Sequence, residues 1–487
     1  MTERPDIHTL GELRAAGYEH RPLRLEIREN LLSALAEGRD PWPGLHGLQD
    51  TVLPQLERAL LAGHDVVLLG ERGQGKTRLP RTLAGLLDEW SPEVRGSELH
   101  EHPEDPLTEA VRERIAIEGD DLPIAWRHRE ERYVEKLATP DTSVADLIGD
   151  VDPIRVAEGR RLGDPETIHY GLIPRAHRGI VAVNELPDLA ERIQVSMLNV
   201  MEERDVQIRG YVLRLPLDVL VVASANPEDY TNRGRIITPL KDRFGAEIRT
   251  HYPLDLADEV AVTRQEAELV AEVPEALLEI LARYTRLLRQ SPAVDQRSGV
   301  SARFSIAGAE TTAAAALRRA AIHGEEHAVA RLVDVEAAVE VLAGKIEFES
   351  GEEGREIAVL EHLLRRATME TVQSRLRGID LSPLIEALDG TVTVSTGGDV
   401  PARDFLAELP TLEEDGDAPA GDDAGTPGIA GDSGAGPAGV GLYDRIAERL
   451  EASTPGQRAN AIELALEALF LSQKISKDAD AEGTVYG

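Results

Sequence analysis

The stretch Gly70-Glu71-Arg72-Gly73-Gln74-Gly75-Lys76-Thr77 constrains this chain more than any other feature, because it fits the pattern GxxxxGK[ST]. The pattern carries meaning only between a buried strand and a helix. His64-Asp65-Val66-Val67-Leu68-Leu69 ends in a short apolar run that reads as such a strand. The stretch through Leu83 and Leu87 reads as the helix. In that setting glycines let backbone N–H groups crowd a phosphate chain. Lys76 reaches the β and γ oxygens, and the Thr77 hydroxyl ligates Mg²⁺. The expected ligand of residues 70–77 is a nucleoside triphosphate.

At 487 residues the chain has room for two or three domains. It has no cysteine, which removes disulfides and thiolate metal sites and makes a reducing, cytoplasmic setting the natural expectation. No apolar run approaches the ~18 residues of a membrane span, and the N-terminus lacks the design of a signal peptide. The formal net charge of −35 repels phosphate backbones, so nucleic acid is an unexpected partner.

Thr51 to Leu61 has the spacing of an amphipathic helix leading into the P-loop strand. Residues 91–130 read as a charged, irregular insertion with at most one short helix, from Leu107 to Ile117. Further strands are expected at Tyr133–Leu137, Gly179–Val183 and Val219–Ala223, separated by helical patterns. That alternation is the signature of a parallel sheet covered on both faces. From about residue 254 the spacing is helical almost throughout. Residues 411–433 hold seven acids and no base among Gly, Ala and Pro, the composition of a spacer. Leu442 to Lys474 is helical in two pieces broken near Pro455. In the second piece Ile462, Leu466, Leu469 and Phe470 form a stripe expected to dock onto the same chain.

A P-loop needs polar groups at the ends of neighbouring strands. Ile180-Val181-Ala182-Val183-Asn184-Glu185 supplies a polar pair after four apolar residues. Glu185 is placed to orient or deprotonate the attacking water. Asn184 stands on the metal side, where it can accept a hydrogen bond from Mg²⁺-bound water but brings no charge. The next strand ends Ala223-Ser224-Ala225-Asn226, putting a second amide near the crevice where ligands sit in open α/β sheets. Arg243, in Lys241-Asp242-Arg243-Phe244, reads either as a surface ion pair or as an arginine finger. His100-Glu101-His102 with Glu104 and Asp105 lacks a rigid element and reads as solvated, not as a metal site. Pro80, early in the P-loop helix, should remove one i to i−4 bond and kink it.

Taken in order, the P-loop, Asn184-Glu185, Asn226 and Asp242-Arg243-Phe244 resemble an AAA+ ATPase, specifically the MoxR and magnesium-chelatase subunit I group. The resemblance spans roughly residues 46–345 and includes Gly171-Leu172-Ile173-Pro174-Arg175-Ala176 and Leu198-Asn199-Val200-Met201-Glu202-Glu203. It implies an α/β AAA+ core at 46–252 after an N-terminal extension (1–45). A helical lid at 253–380, a mixed and acidic segment at 381–440 and a helical C-terminal segment at 441–487 would follow. It makes the nucleotide ATP, Glu185 the catalytic glutamate, Asn226 sensor 1 and Arg243 the finger. Arg303, opening a lid helix after Gly299-Val300-Ser301-Ala302, becomes sensor 2. Hairpin insertions are implied within Asp152–Tyr170 and at Asp205–Arg214, the second alternating around Gly210. The group works as a homo-oligomeric ring, a hexamer, with a separate partner carrying a von Willebrand factor A domain. Three other functions fit the core: a magnesium chelatase ATPase subunit, a nucleotide switch that does not hydrolyse, and an AAA+ transcriptional regulator. The Gly-Ala-Phe-Thr-Gly-Ala loop of such regulators does not occur in the sequence.

Overall fold

The computed structural model describes residues 3–487 except 153, 155–156, 158–166, 203–205, 209–210, 214, 227–233, 296–297, 389–391, 413–440 and 481–482. The chain forms two compact units, Met1–Tyr252 and Pro253–Gly487.

The first unit is built on a sheet of five parallel strands: β1 (Val66–Leu69), β2 (Tyr133–Leu137), β3 (Gly179–Asn184), β4 (Val219–Ala225) and β5 (Ala246–Arg249). Their order across the sheet is β5-β1-β4-β3-β2. Strands β1, β3 and β4 are buried along their whole length, which is why they read as unbroken apolar runs without alternation. Successive side chains still go to opposite faces. Val66, Leu68, Ile180, Leu220 and Val222 join one core with Leu56, Leu79 and Leu83. Val67, Leu69, Val181, Val183, Val221 and Ala223 join another with Ile193, Met197 and Leu240.

The helix Val52–Ala62 ends at Gly63, whose φ of 76° is the left-handed cap that turns the chain into β1. The helix Leu23–Ala36 packs a buried Glu26 against Arg132 in a bidentate pair at 2.7 Å. Arg132 Nε also donates to the Arg178 carbonyl at 2.8 Å, and the Asp88 N–H donates to Glu26 at 2.7 Å. Burying this pair is tolerable because its remaining donors and acceptors are satisfied.

The reading of residues 91–130 as an irregular insertion is corrected. Trp90–Val94 and Ile124–His128 pair antiparallel, the helix Glu109–Glu118 lies between them, and Leu10, Leu13, Val94, Val111, Leu122 and Ile124 share a small core. Nor is His100-Glu101-His102 solvated as a whole: Glu101 and His102 are buried. The Glu101 carboxylate accepts from the backbone of Leu107 (2.6 Å) and Thr108 (2.8 Å), and the His102 ring stacks on His20 with centroids 4.2 Å apart. Glu101 thus caps the turn into the following helix, while Glu104, Asp105, Glu109, Glu113, Asp120 and Asp121 stay exposed. The fifth strand, β5, was also missed. It is an edge strand with one buried residue, Ile248, and so lacks the apolar run of the others.

Two antiparallel hairpins are present, the second within the expected Asp205–Arg214 and the first starting before the expected Asp152. Gly149–Val151 pairs with Ile168–Tyr170, and Val206–Ile208 with Tyr211–Leu213. Most of the first hairpin's connection, and Arg209 and Gly210 of the second, fall outside the described residues.

The second unit is helical, with a small sheet that the sequence patterns did not suggest. Five helices (Leu256–Glu266, Glu275–Gln290, Arg303–His323, Leu332–Ala343 and Glu356–Arg375) share one core with Pro455–Leu471. That last helix opens on a Thr454–Gln457 capping box with Pro455 in its first turn. Ile462, Leu466 and Leu469 are buried in the core and Phe470 packs at its margin, so the apolar stripe is covered by the chain itself. Val394–Thr396, Gly483–Tyr486 and Lys477–Asp480 form the antiparallel sheet. Within the acidic spacer, residues 413–433 are outside the described residues.

Candidate functional site

The P-loop leaves β1 at Gly70 and runs into the helix Arg78–Thr82. Gly73 and Gly75 take φ of 78° and 76°, a region that opens the backbone N–H groups towards an anion and suits glycine. Gly70 is required for a different reason. A Cβ there would lie 2.0 Å from Thr250 Oγ1 and 2.3 Å from Gln74 Oε1. Those two atoms are hydrogen-bonded at 2.9 Å, and Gln74 Oε1 also accepts from the Glu71 N–H at 3.0 Å. The loop is thus clamped from β5's end.

Lys76 is buried, and its ammonium donates to the carbonyls of Gly70 and, at 2.6 Å, Glu71. The charge is held over the loop it would share with a phosphate. Thr77 is exposed at the N-cap position of the helix, and Arg72 is exposed on the loop. Pro80 is the buried third residue of that helix, which tightens into a 3-10 turn at Leu83–Leu86.

The strand ends are joined to the loop by a circuit of hydrogen bonds. Gly70 N–H donates to the Ala225 carbonyl at 3.2 Å, which sets Asn226, itself buried, beside the loop's first residue. Ser224 on β4 links the next strand: its hydroxyl donates to Asn184 Oδ1 at 3.1 Å and accepts from the Glu185 N–H at 3.3 Å. Asn184 Nδ2 donates to Glu135 Oε1 on β2 at 2.6 Å. Arg81 closes the circuit from the P-loop helix, its Nε and Nη2 donating to the Glu135 carboxylate at 2.8 and 3.1 Å. The P-loop, Asn184, Glu185 and Asn226 are therefore brought together.

Glu185 is half-buried with φ 55° and ψ 48°. A left-handed non-glycine residue costs about 1–2 kcal/mol, and such residues cluster where a side chain must be aimed. The strain sits on the residue expected to face the attacking water.

Arg243 ends the helix Thr238–Arg243 and pairs with Glu202, both side chains about 40% exposed (41% and 40%). Arg303 is the exposed first residue of its helix in the second unit. Sequence reasoning missed Glu135, Ser224 and Thr250. A glutamate in the middle of a strand pattern and a serine inside Val221-Val222-Ala223-Ser224-Ala225 were the available signals.

The donor set suits a metal that arrives with a nucleotide. Among the described residues no group of three or more His, Cys, Asp or Glu could hold an ion alone. Mg²⁺ commonly binds through few protein groups plus substrate phosphates and water, and Thr77 and Asn184, the residues expected on the metal side, would make such a sparse set. Among the described residues no helix is long and apolar enough to cross a membrane.

A family model described as the Sigma-54 interaction domain matches residues 162–243, from before β3 to Arg243. Curated relatives include the magnesium-chelatase subunit ChlI of Anabaena variabilis, 28% identical over 214 residues (43% of this chain, 59% of that one). The magnesium-chelatase 38 kDa subunit of Acidiphilium rubrum is 30% identical over 205 residues (41% and 55%). The chain thus spans less than two thirds of the length of these relatives. A structure of the BchI–BchD complex of magnesium chelatase, from cryo-EM, is 22% identical, with a TM-score of 0.35 over 66% of this chain and 98% of that one. At that score the superposition adds nothing to the sequence relationship.

Proposed function

We propose that this chain, an AAA+ protein related to magnesium-chelatase subunit I and MoxR-like ATPases, binds ATP with Mg²⁺ and hydrolyses it as an oligomeric ring. The observation that carries the reading is the circuit from Gly70 through Ala225, Ser224, Asn184 and Glu135 back to Arg81. It holds the candidate phosphate cradle against the candidate water-orienting strand ends.

In this reading Gly70 to Thr77 cradle the phosphates, Lys76 leaves its carbonyls for the β and γ oxygens, and Thr77 and Asn184 face the metal side. Bound Mg²⁺ would neutralise phosphate charge. Glu185 orients and deprotonates water, and Asn226 holds it against the γ-phosphate. Arg243 acts on a neighbouring subunit's nucleotide and Arg303 serves as the lid's sensor, so a single copy is incomplete. A hexameric ring in the cytoplasm, working on or through a separate von Willebrand factor A-domain protein, is the assembly this reading expects.

Two of the other readings are less supported. The chelatase relatives are matched over little more than half their length, and no porphyrin-binding feature is recognisable in the sequence. The Sigma-54 model covers 162–243 and leaves out the P-loop. The reading is tested by ATP titration of the wild type and Lys76→Ala. Saturable, Mg²⁺-dependent binding that Lys76→Ala loses supports it, and equal binding by both contradicts it.

A further inference from the structure

Asn184 puts an uncharged amide at the strand end that is expected to lie on the metal side. We propose that Glu135 supplies the missing negative charge from the neighbouring strand, and that residue 184 is an amide because Glu135 is there. This rests on the ATP and Mg²⁺ reading above and says how the metal side of that site is built.

The sheet register makes the exchange possible. Strands β2 and β3 run parallel with Leu137 opposite Asn184 and Glu135 opposite Ala182. Side chains two apart on a strand share a face, so Glu135 and Asn184 lie on the same side of the sheet, one step apart diagonally. Contact follows: Asn184 Nδ2 donates to Glu135 Oε1 at 2.6 Å, while Asn184 Oδ1 accepts from Ser224 at 3.1 Å. The amide has a donor side and an acceptor side, and each meets the partner it needs.

An aspartate at 184 would set one carboxylate against another at that 2.6 Å contact, with residue 184 only 6% exposed. Two carboxylates sharing one such site cannot both stay ionised cheaply. Asparagine removes the conflict and leaves one negative charge on the pair.

That charge lies on Glu135 of β2 and is paired with Arg81 of the P-loop helix. Arg81, which holds Glu135, lies four residues past Thr77, about one helical turn. Arg81's side chain is 61% exposed and that of Glu135 23%; the two-pronged pair fixes the carboxylate beside the P-loop helix while Oε1 also accepts from Asn184. Glu135 acts here as a positioning and charge-supplying residue. A purely structural tie between strand and helix would have no bearing on metal dependence, and this separates the two roles.

The test is the Mg²⁺ midpoint for binding a fluorescent ATP analogue by the full chain, as wild type, Glu135→Gln and Glu135→Gln/Asn184→Asp. The double variant reverses the amide–carboxylate pair and restores the charge at 184. We expect Glu135→Gln to raise the midpoint about tenfold or more, and the double variant to return it to within a few-fold of wild type. If Glu135→Gln does not fold, the double variant decides alone by whether its midpoint matches wild type. A midpoint unmoved by Glu135→Gln, or a double variant no better than the single one, overturns the proposal while leaving ATP binding intact. Failure of the wild type to bind the analogue with Mg²⁺ would instead remove the reading on which the proposal stands.

Discussion

Arg243 and Glu202 form an ion pair on the first unit, joining the end of the helix Thr238–Arg243 to the end of the helix Glu191–Glu202. Both side chains are about 40% exposed (41% and 40%), and an exposed pair of this kind is worth roughly 0–1 kcal/mol. A neighbouring subunit's nucleotide could therefore draw Arg243 away at little cost. Arg243→Ala should leave ATP affinity within a few-fold of wild type and lower turnover by about 10³-fold. Calorimetric titration beside steady-state hydrolysis checks both halves.

The clamp on the P-loop gives a second prediction. Gly70→Ala drives a methyl group into Thr250 Oγ1 and Gln74 Oε1, which would sit 2.0 and 2.3 Å away. The Gln74–Thr250 hydrogen bond must break or the loop must shift. We expect a stability loss of about 1–3 kcal/mol in chemical denaturation, together with loss of ATP binding.

In the second unit Arg331 is fully buried and donates to Glu463, Thr396 and the Val400 carbonyl. Removing the carboxylate strands that cation. Glu463→Ala should cost about 3–5 kcal/mol in chemical denaturation, far more than an exposed pair. Glu361→Ala, which removes an exposed partner of Arg365, is the control and should cost less than about 1 kcal/mol.

Two buried histidines make the first unit acid-sensitive. Burial, reinforced by Arg178, lowers His102 to about 2 and His177 to about 3. Each stays neutral in the folded chain but takes a proton in the unfolded chain below about pH 6.5. The unfolded state then binds more protons, so stability is full above about pH 6.5 and falls towards the folded values. The slope is about 1.4 kcal/mol per pH unit for each histidine. Denaturation between pH 7.5 and 4.5 should show a shallower slope for His102→Phe, which keeps an aromatic ring against His20 and Tyr18.

The sheet's inner strands were legible because burial on both faces forces apolar runs, and the P-loop because its glycines have a backbone reason to be there. β5 was not, since Ala246-Glu247-Ile248-Arg249 buries one side chain. The pairing of Trp90–Val94 with Ile124–His128 was hidden because the segment between them carries many exposed charges, with Glu101 a buried exception. Within the site, Asn184, Glu185 and Asn226 could be placed at strand ends from the sequence. Glu135 and Ser224 could not, because their importance comes from register across strands and not from spacing along the chain.

The central claim is that an oligomer of this chain hydrolyses ATP through Glu185 and a finger supplied in trans. Steady-state hydrolysis with Mg²⁺ across a protein concentration series, beside Glu185→Gln and Arg243→Ala, tests it most directly. The account predicts specific activity that rises with concentration and collapses in both variants. ATP binding without turnover by the wild type at any concentration would contradict it and leave a nucleotide-gated switch.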